Sequence, residues 1–228
     1  MQAAGARQLA FELPHAESFR REDFLADPSN EAALALVDSW PNWPHRIAAI
    51  VGTPGSGKSH LAAIWAERAG ARITDAAALV RAEVPRALVT GALVIEDLAP
   101  DRADEQALFH LFNLAREEDA FVLVTAARRL DLEGYALPDL ASRLRALPVI
   151  ALTPPGDALL AAVMVKLFAD RQLAVDEETI TFLLGRIERS LAAVRDMVAR
   201  LDRAALSRGR RITRVLAAEL LREQESQA

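Results

Sequence analysis

Residues 52–59 read GlyThrProGlySerGlyLysSer, a complete match to the pattern G-x-x-x-x-G-K-[ST]. The flanks are the ones such a loop requires. Arg46–Val51 is a short apolar run bounded by turn residues, which predicts a buried strand, and helical spacing begins at about Lys58 and runs to Arg68. A strand, a tight glycine loop and a helix in succession commit the chain to an α/β fold. They also predict an anion cradle. Gly52, Thr53, Pro54, Gly55, Ser56 and Gly57 form a loop whose backbone N–H groups can turn inward on phosphate oxygens, with the positive end of the next helix aimed at the same anion. Lys58 is expected to reach the β- and γ-phosphates and the Ser59 hydroxyl to ligate Mg2+. The expected ligand is therefore ADP or ATP with Mg2+, and the loop does not discriminate between the two nucleotides.

Composition sharpens this reading. Of 27 basic residues only Lys58 and Lys166 are lysines, so an ammonium at the phosphate position stands out against an arginine background. The net charge of −5 predicts no long-range attraction to nucleic acid. With no cysteine, disulfides and thiolate metal sites are excluded, and His15, His45, His60 and His110 show no ligand spacing. No run of about 18 apolar residues predicts a membrane span, and the first residues lack a signal-peptide core. A cytoplasmic location and no membrane partner are the expectation.

Further apolar runs at Ala71–Thr74, Ala92–Ile95, Phe121–Thr125 and Leu147–Leu152 read as strands. Residues 30–39 and 104–118 have helical spacing, with Ser29 or Asn30 as a cap for the first and Leu108, Leu111, Phe112 and Ala115 on one face of the second. A short helix is expected over Ala76–Arg81. Alternation of strands and helices predicts a parallel sheet covered on both faces. After Gly156 the strands stop, and 157–171, 176–188, 190–206 and 212–224 read as helices, with Asp176 and Thr213 as N-caps and Gly209 at a helix end. The expected organisation is an arm over residues 1–21, a nucleotide-binding α/β domain over 22–155 and a small all-α lid over 156–228. The run Ala92–Ile95 ends in Glu96–Asp97. Neighbouring residues on a strand point to opposite faces, but at its end the two carboxylates can diverge around one magnesium site, one binding metal and the other positioning water.

Strand, phosphate loop, helix, paired acids and helical lid together resemble the AAA+ ATPases. The finer resemblance, over about residues 7–224, is to the DnaA–Hda family: the loop continues as GlyLysSerHisLeu, Phe24 precedes Ser29–Asn30, and residues 137–144 read LeuProAspLeuAlaSerArgLeu. This resemblance implies a five-stranded parallel sheet flanked by helices, with the segment around Phe24 packed beside the adenine and His60 among the nucleotide-binding residues. It implies that Arg143 is an arginine finger acting in trans on a neighbour's nucleotide, that Arg195 contacts the nucleotide from the lid, and that Thr125 lies near the sensor position of its strand. Two departures count against fast intrinsic hydrolysis. Glu96 stands where Asp is usual, and Ala127 replaces a polar residue. Binding survives such changes more easily than chemistry, because positioning of water is the sensitive step.

Gln8–Leu9–Ala10–Phe11 looks like the peptide with which replication proteins dock on a sliding clamp, Gln8 making polar contacts and Leu9 and Phe11 acting as apolar anchors. The resemblance thus implies two partners, DnaA and the DNA polymerase III beta sliding clamp. The protein would stimulate hydrolysis of ATP on DnaA and so restrain replication initiation. A homodimer is a further possibility, although a finger acting in trans needs a head-to-tail contact. An arginine surplus over residues 186–214 reads as a solvated or subunit-facing surface, with direct DNA binding weak or absent. Two other readings stay open: an ATP-driven helicase loader of the DnaC type, and a non-catalytic adaptor between clamp and initiator.

Overall fold

The computed structural model describes residues 19–131 and 134–225. Its strands are β1 (Ile47–Val51), β2 (Arg72–Asp75), β3 (Ala92–Glu96), β4 (Phe121–Ala126) and β5 (Val149–Ala151), in spatial order β2-β3-β4-β1-β5. Every pairing is parallel, as the alternation of elements predicts. The three inner strands are apolar almost end to end because both of their faces are covered. On one face lie α1 (Glu31–Ser39) and α2 (Lys58–Ala69), which bring Val37, Leu61 and Trp65 against the sheet, with Trp43 from the segment after α1 stacked on Trp65. The other face carries α3 (Val84–Ala87), α4 (Glu105–Glu117) and α5 (Pro138–Ala146), with Leu108, Leu111, Phe112, Leu140 and Leu144 in its core.

The remaining helices, α6 (Asp157–Asp170), α7 (Glu177–Leu184), α8 (Leu191–Arg208) and α9 (Arg214–Glu225), enclose a third core around Met164, Phe168, Leu183, Val198 and Leu216. The expected caps form: Asp176 accepts from the Thr179 N–H at 2.7 Å, and Gly209 ends α8 with a left-handed φ of 59°. Among the described residues no helix is long and apolar enough to cross a membrane.

Two local expectations change. Over Ala76–Arg81 there is no continuous helix but two 3-10 turns, Ala76–Ala78 and Arg81–Glu83, because the Asp75 carboxylate closes the first turn on Ala77 and Leu79 is extended and buried. Asn30 occupies the cap position of α1 without a side-chain cap. Its amide instead binds Leu25 O and its carbonyl accepts from Asp27 N, both at 3.0 Å, which folds residues 25–30 into a tight hook. The segment that carries Arg143 is a helix, α5, with Pro138 in its first turn, where the missing N–H costs nothing.

Candidate nucleotide site

The phosphate loop leaves the carboxyl end of β1, the usual place for a ligand in an open parallel sheet. Gly55 and Gly57 have φ of 73° and 103°, values that residues with a Cβ rarely adopt. Gly57 leads into α2 with no side-chain cap, so the first-turn N–H groups are left for an anion. Lys58 is buried, and its Nζ donates to Gly52 O at 2.8 Å and Thr53 O at 3.0 Å, folding the ammonium back over the loop. Burial pulls it below the usual lysine range, and the Asp97 and Glu96 carboxylates oppose that pull. The lysine and the two acids therefore share one electrostatic site.

The two acids diverge. Glu96 Oε1 is buried without a hydrogen-bond partner, as is Ser56 Oγ in the loop. Asp97 is turned outward by a positive φ of 53°, more than half of its side chain exposed, and lies 3.7 Å from Arg102. Thr125, fully buried between β1 and β3, accepts from Asp97 N at 3.1 Å, and its carbonyl accepts from Leu98 N at 2.8 Å. The turn that holds the acids thus hangs on the residue expected at the sensor position.

Orphaned polar atoms beside a lysine and a capless helix start fit a phosphate group and its metal. Lys58, Ser59 and the loop N–H groups would hold the phosphates, with Glu96 and Asp97 available to Mg2+. No cluster of three or more metal-binding side chains exists among the described residues.

The lid closes directly on this loop. Leu191 N donates to Gly55 O at 3.0 Å, and a Cβ on Gly55 would lie 2.9 Å from the Ala192 Cβ. Ser190 caps α8, accepting from Ala193 N at 3.1 Å, so the helix that touches the loop is anchored at the point of contact. Beside the loop lies a cleft of about 290 Å³ whose lining includes Phe24, Gly57, His60, Lys166, Leu191 and Arg195. Phe24 and Arg195 are thus brought together there, one from each side. His60 lines the same cleft. It packs edge-on against Phe19 and Phe24 and contacts Arg20 O at 3.2 Å, holding the segment before α1 in place. Lys166 bridges Asp23 at 2.7 Å and Asp170 at 2.8 Å, and these two carboxylates hold it above the usual lysine range. Neither Lys166 nor Ser190 is evident as a site residue in the sequence. The signals were the rarity of lysine and a serine placed before LeuAlaAlaVal.

Arg143 lies elsewhere. Its guanidinium stacks 4.5 Å from the Phe109 ring centroid and lines a groove with Arg46, Ile47, Arg116 and Pro148, at the amino ends of β1 and β5. The chain's own phosphate loop follows the opposite end of β1, a strand length or roughly 15 Å away. Several arginines of the lid surplus are engaged within the fold: Arg208 and Arg210 pair with Glu219, Arg189 with Asp157 and Arg214 with Glu178. Gln8, Leu9 and Phe11 lie outside the described residues.

Sheet order, loop and lid define a P-loop protein of the AAA+ fold. Domain III of the Thermotoga maritima replication initiation protein DnaA superposes with a TM-score of 0.72 at 19% identity, over 90% of this chain and 96% of that one. The RuvB Holliday junction branch migration motor of Thermotoga maritima gives 0.71 at 18% identity, over 89% and 70%. AMPPCP-bound DnaA from Aquifex aeolicus gives 0.64 at 17% identity, over 79% of this chain and 63% of that one. At these identities the likeness is one of fold. In the helical part, residues 158–221 match the family described as Hda, lid domain. The chain thus has the fold of these proteins, and its residues 158–221 match the Hda lid.

Proposed function

We propose that this protein binds ADP or ATP with Mg2+ at residues 52–59 and uses the nucleotide to set the lid. Its regulatory act would be on another AAA+ protein, DnaA, whose ATP hydrolysis it stimulates through Arg143 as a negative regulator of replication initiation. The observation that carries this reading is the separation of Arg143 from the chain's own phosphate loop, by about the length of a strand. A guanidinium so placed has no role at its own nucleotide but is available to a neighbour's. In trans it neutralises charge that develops on the transferred phosphoryl oxygens, an effect worth roughly 10³–10⁵ in rate. Magnesium, when bound, supplies charge neutralisation at the phosphates. The protein's own Lys58 and loop amides bind and orient them, and Glu96 and Asp97 hold the metal and align water.

Docking would use Gln8, Leu9 and Phe11 on the DNA-loaded sliding clamp, which would tie inactivation of DnaA to the presence of a replicating fork. The Hda-type lid and the DnaA-like fold support this assignment. The test is to add the protein and DNA-loaded clamp to ATP-bound DnaA and follow phosphate release. Acceleration is expected, and replacement of Gln8, Leu9 and Phe11 by Ala should remove it. Absence of any acceleration by the intact protein rules the proposal out.

A further inference from the structure

The finger helix α5 begins in an unusual way. Its N-cap residue is Leu137, which brings no side-chain oxygen, and Pro138 follows with no N–H. The missing cap comes from a different helix. Glu105, the first residue of α4, accepts from Ala136 N through Oε1 at 2.8 Å and from Leu137 N through Oε2 at 2.6 Å. Both oxygens of one carboxylate are thus committed to the two N–H groups at the mouth of α5, where the helix dipole also favours a negative charge. One turn further along the same face of α4 lies Phe109, on whose ring the Arg143 guanidinium stacks at 4.5 Å.

Glu105 is itself held. Asp104 caps α4 by accepting from Gln106 N at 2.9 Å and Ala107 N at 3.0 Å. The short segment between Asp97 and Asp104 is closed by the Arg102 and Ala103 N–H groups on Ala99 O, and pinned by Arg102 on Asp75 at 2.8 Å. The carboxylate that grips α5 is therefore anchored within a few residues of Glu96 and Asp97.

We infer that Glu105 is a positioning residue for Arg143: its bidentate grip on Ala136 and Leu137 fixes where the finger helix starts, and Phe109 fixes the guanidinium one turn on. The inference rests on the reading of Arg143 as a finger acting in trans. Glu105 touches no nucleotide. It acts by holding α5 in register, and misplacement of a catalytic group by an ångström can cost on the order of 10²-fold in rate.

The full chain serves for the test, as wild type, Glu105→Ala, Glu105→Gln and Phe109→Leu. Two readouts are taken. The first is hydrogen exchange at the amides of Ala136 and Leu137. Protection is expected to fall about tenfold or more in Glu105→Ala and by less in Glu105→Gln, which keeps one acceptor. The second is phosphate release from ATP-bound DnaA with DNA-loaded clamp. The maximal stimulated rate is expected to fall about 10- to 100-fold in Glu105→Ala, with Glu105→Gln and Phe109→Leu in between. The protein concentration giving half-maximal stimulation, and the chain's own ADP affinity, should stay within about twofold of wild type, the change expected when only alignment is lost.

Unchanged amide protection in both Glu105 variants overturns the inference. So does a full stimulated rate despite lost protection, or a loss that appears only in the half-maximal concentration. Should wild type fail to stimulate DnaA at all, the proposed function falls, and the exchange measurement still decides whether Glu105 holds the helix. Should Glu105→Ala fail to fold, the Gln variant carries both readouts.

Discussion

The two ends of the sheet treat their cations in opposite ways. At the carboxyl end Lys58 is enclosed: two loop carbonyls accept from it, the charges of Asp97 and Glu96 act on it and the lid rests on the loop through Leu191 and Gly55. At the amino end Arg143 lines an open groove, its guanidinium over the face of Phe109, with Arg116 in the same groove. A site that a chain completes by itself can be desolvated in advance. One meant for another molecule's phosphate has to stay open until that molecule arrives. Under the proposed function, this difference would let one protein hold a nucleotide while its arginine acts on a second one.

The sharpest way to break this comparison is Arg143→Ala. Stimulated hydrolysis on DnaA should fall by roughly 10³-fold or more, while the chain's own ADP affinity, measured by calorimetry, should not move. A matching loss of ADP affinity would place Arg143 at its own nucleotide. Lys58→Ala should do the reverse. Loss of a charge-assisted contact to phosphate predicts ADP and ATP binding weaker by about 10- to 100-fold, and unchanged titration curves would remove the lysine from the site. Gly55→Ala places a Cβ both at a left-handed φ and against Ala192, so a loss of about 1–3 kcal/mol in urea unfolding is expected, accompanied by faster hydrogen exchange at the start of α8. Ser190→Ala removes only the cap of that helix and should cost about 1 kcal/mol. The smallest effect is expected from Lys166→Met. Its partly exposed bridge to Asp23 is worth about 0.5–1 kcal/mol, and a larger drop in stability would show that this bridge carries more of the lid contact than its exposure suggests.

Much of the architecture was legible because it depends on local pattern. The apolar runs at 46–51, 92–95 and 121–125 became β1, β3 and β4 with bounds shifted by a residue or so, since a strand covered on both faces needs a continuous apolar run and little else does. Caps at Asp176 and Gly209 followed from the same short-range chemistry. The failures have a common cause. Ala76–Arg81 has the composition of a helix, but the Asp75 side chain and the burial of Leu79 divide it into turns. Asn30 looks like a cap and is spent instead on Leu25 and Asp27. The helix carrying Arg143 has Pro138 in its first turn but no capping oxygen of its own, and Glu105, more than thirty positions earlier in the chain, accepts from the N–H groups at its start.

What the sequence by itself determined is the chemistry present: a lysine and a serine in a glycine loop, two adjacent acids at a strand end, an arginine in a recognisable box. These follow from residue type and spacing within a few positions. Only the tertiary structure decided how that chemistry is divided. It set Glu96 inward and Asp97 outward by the turn hung on Thr125, brought α8 down on Gly55, and carried Arg143 to the far end of the sheet under the hold of Glu105 and Phe109. Each of these depends on contacts between residues distant in the chain, which packing selects and no local pattern encodes.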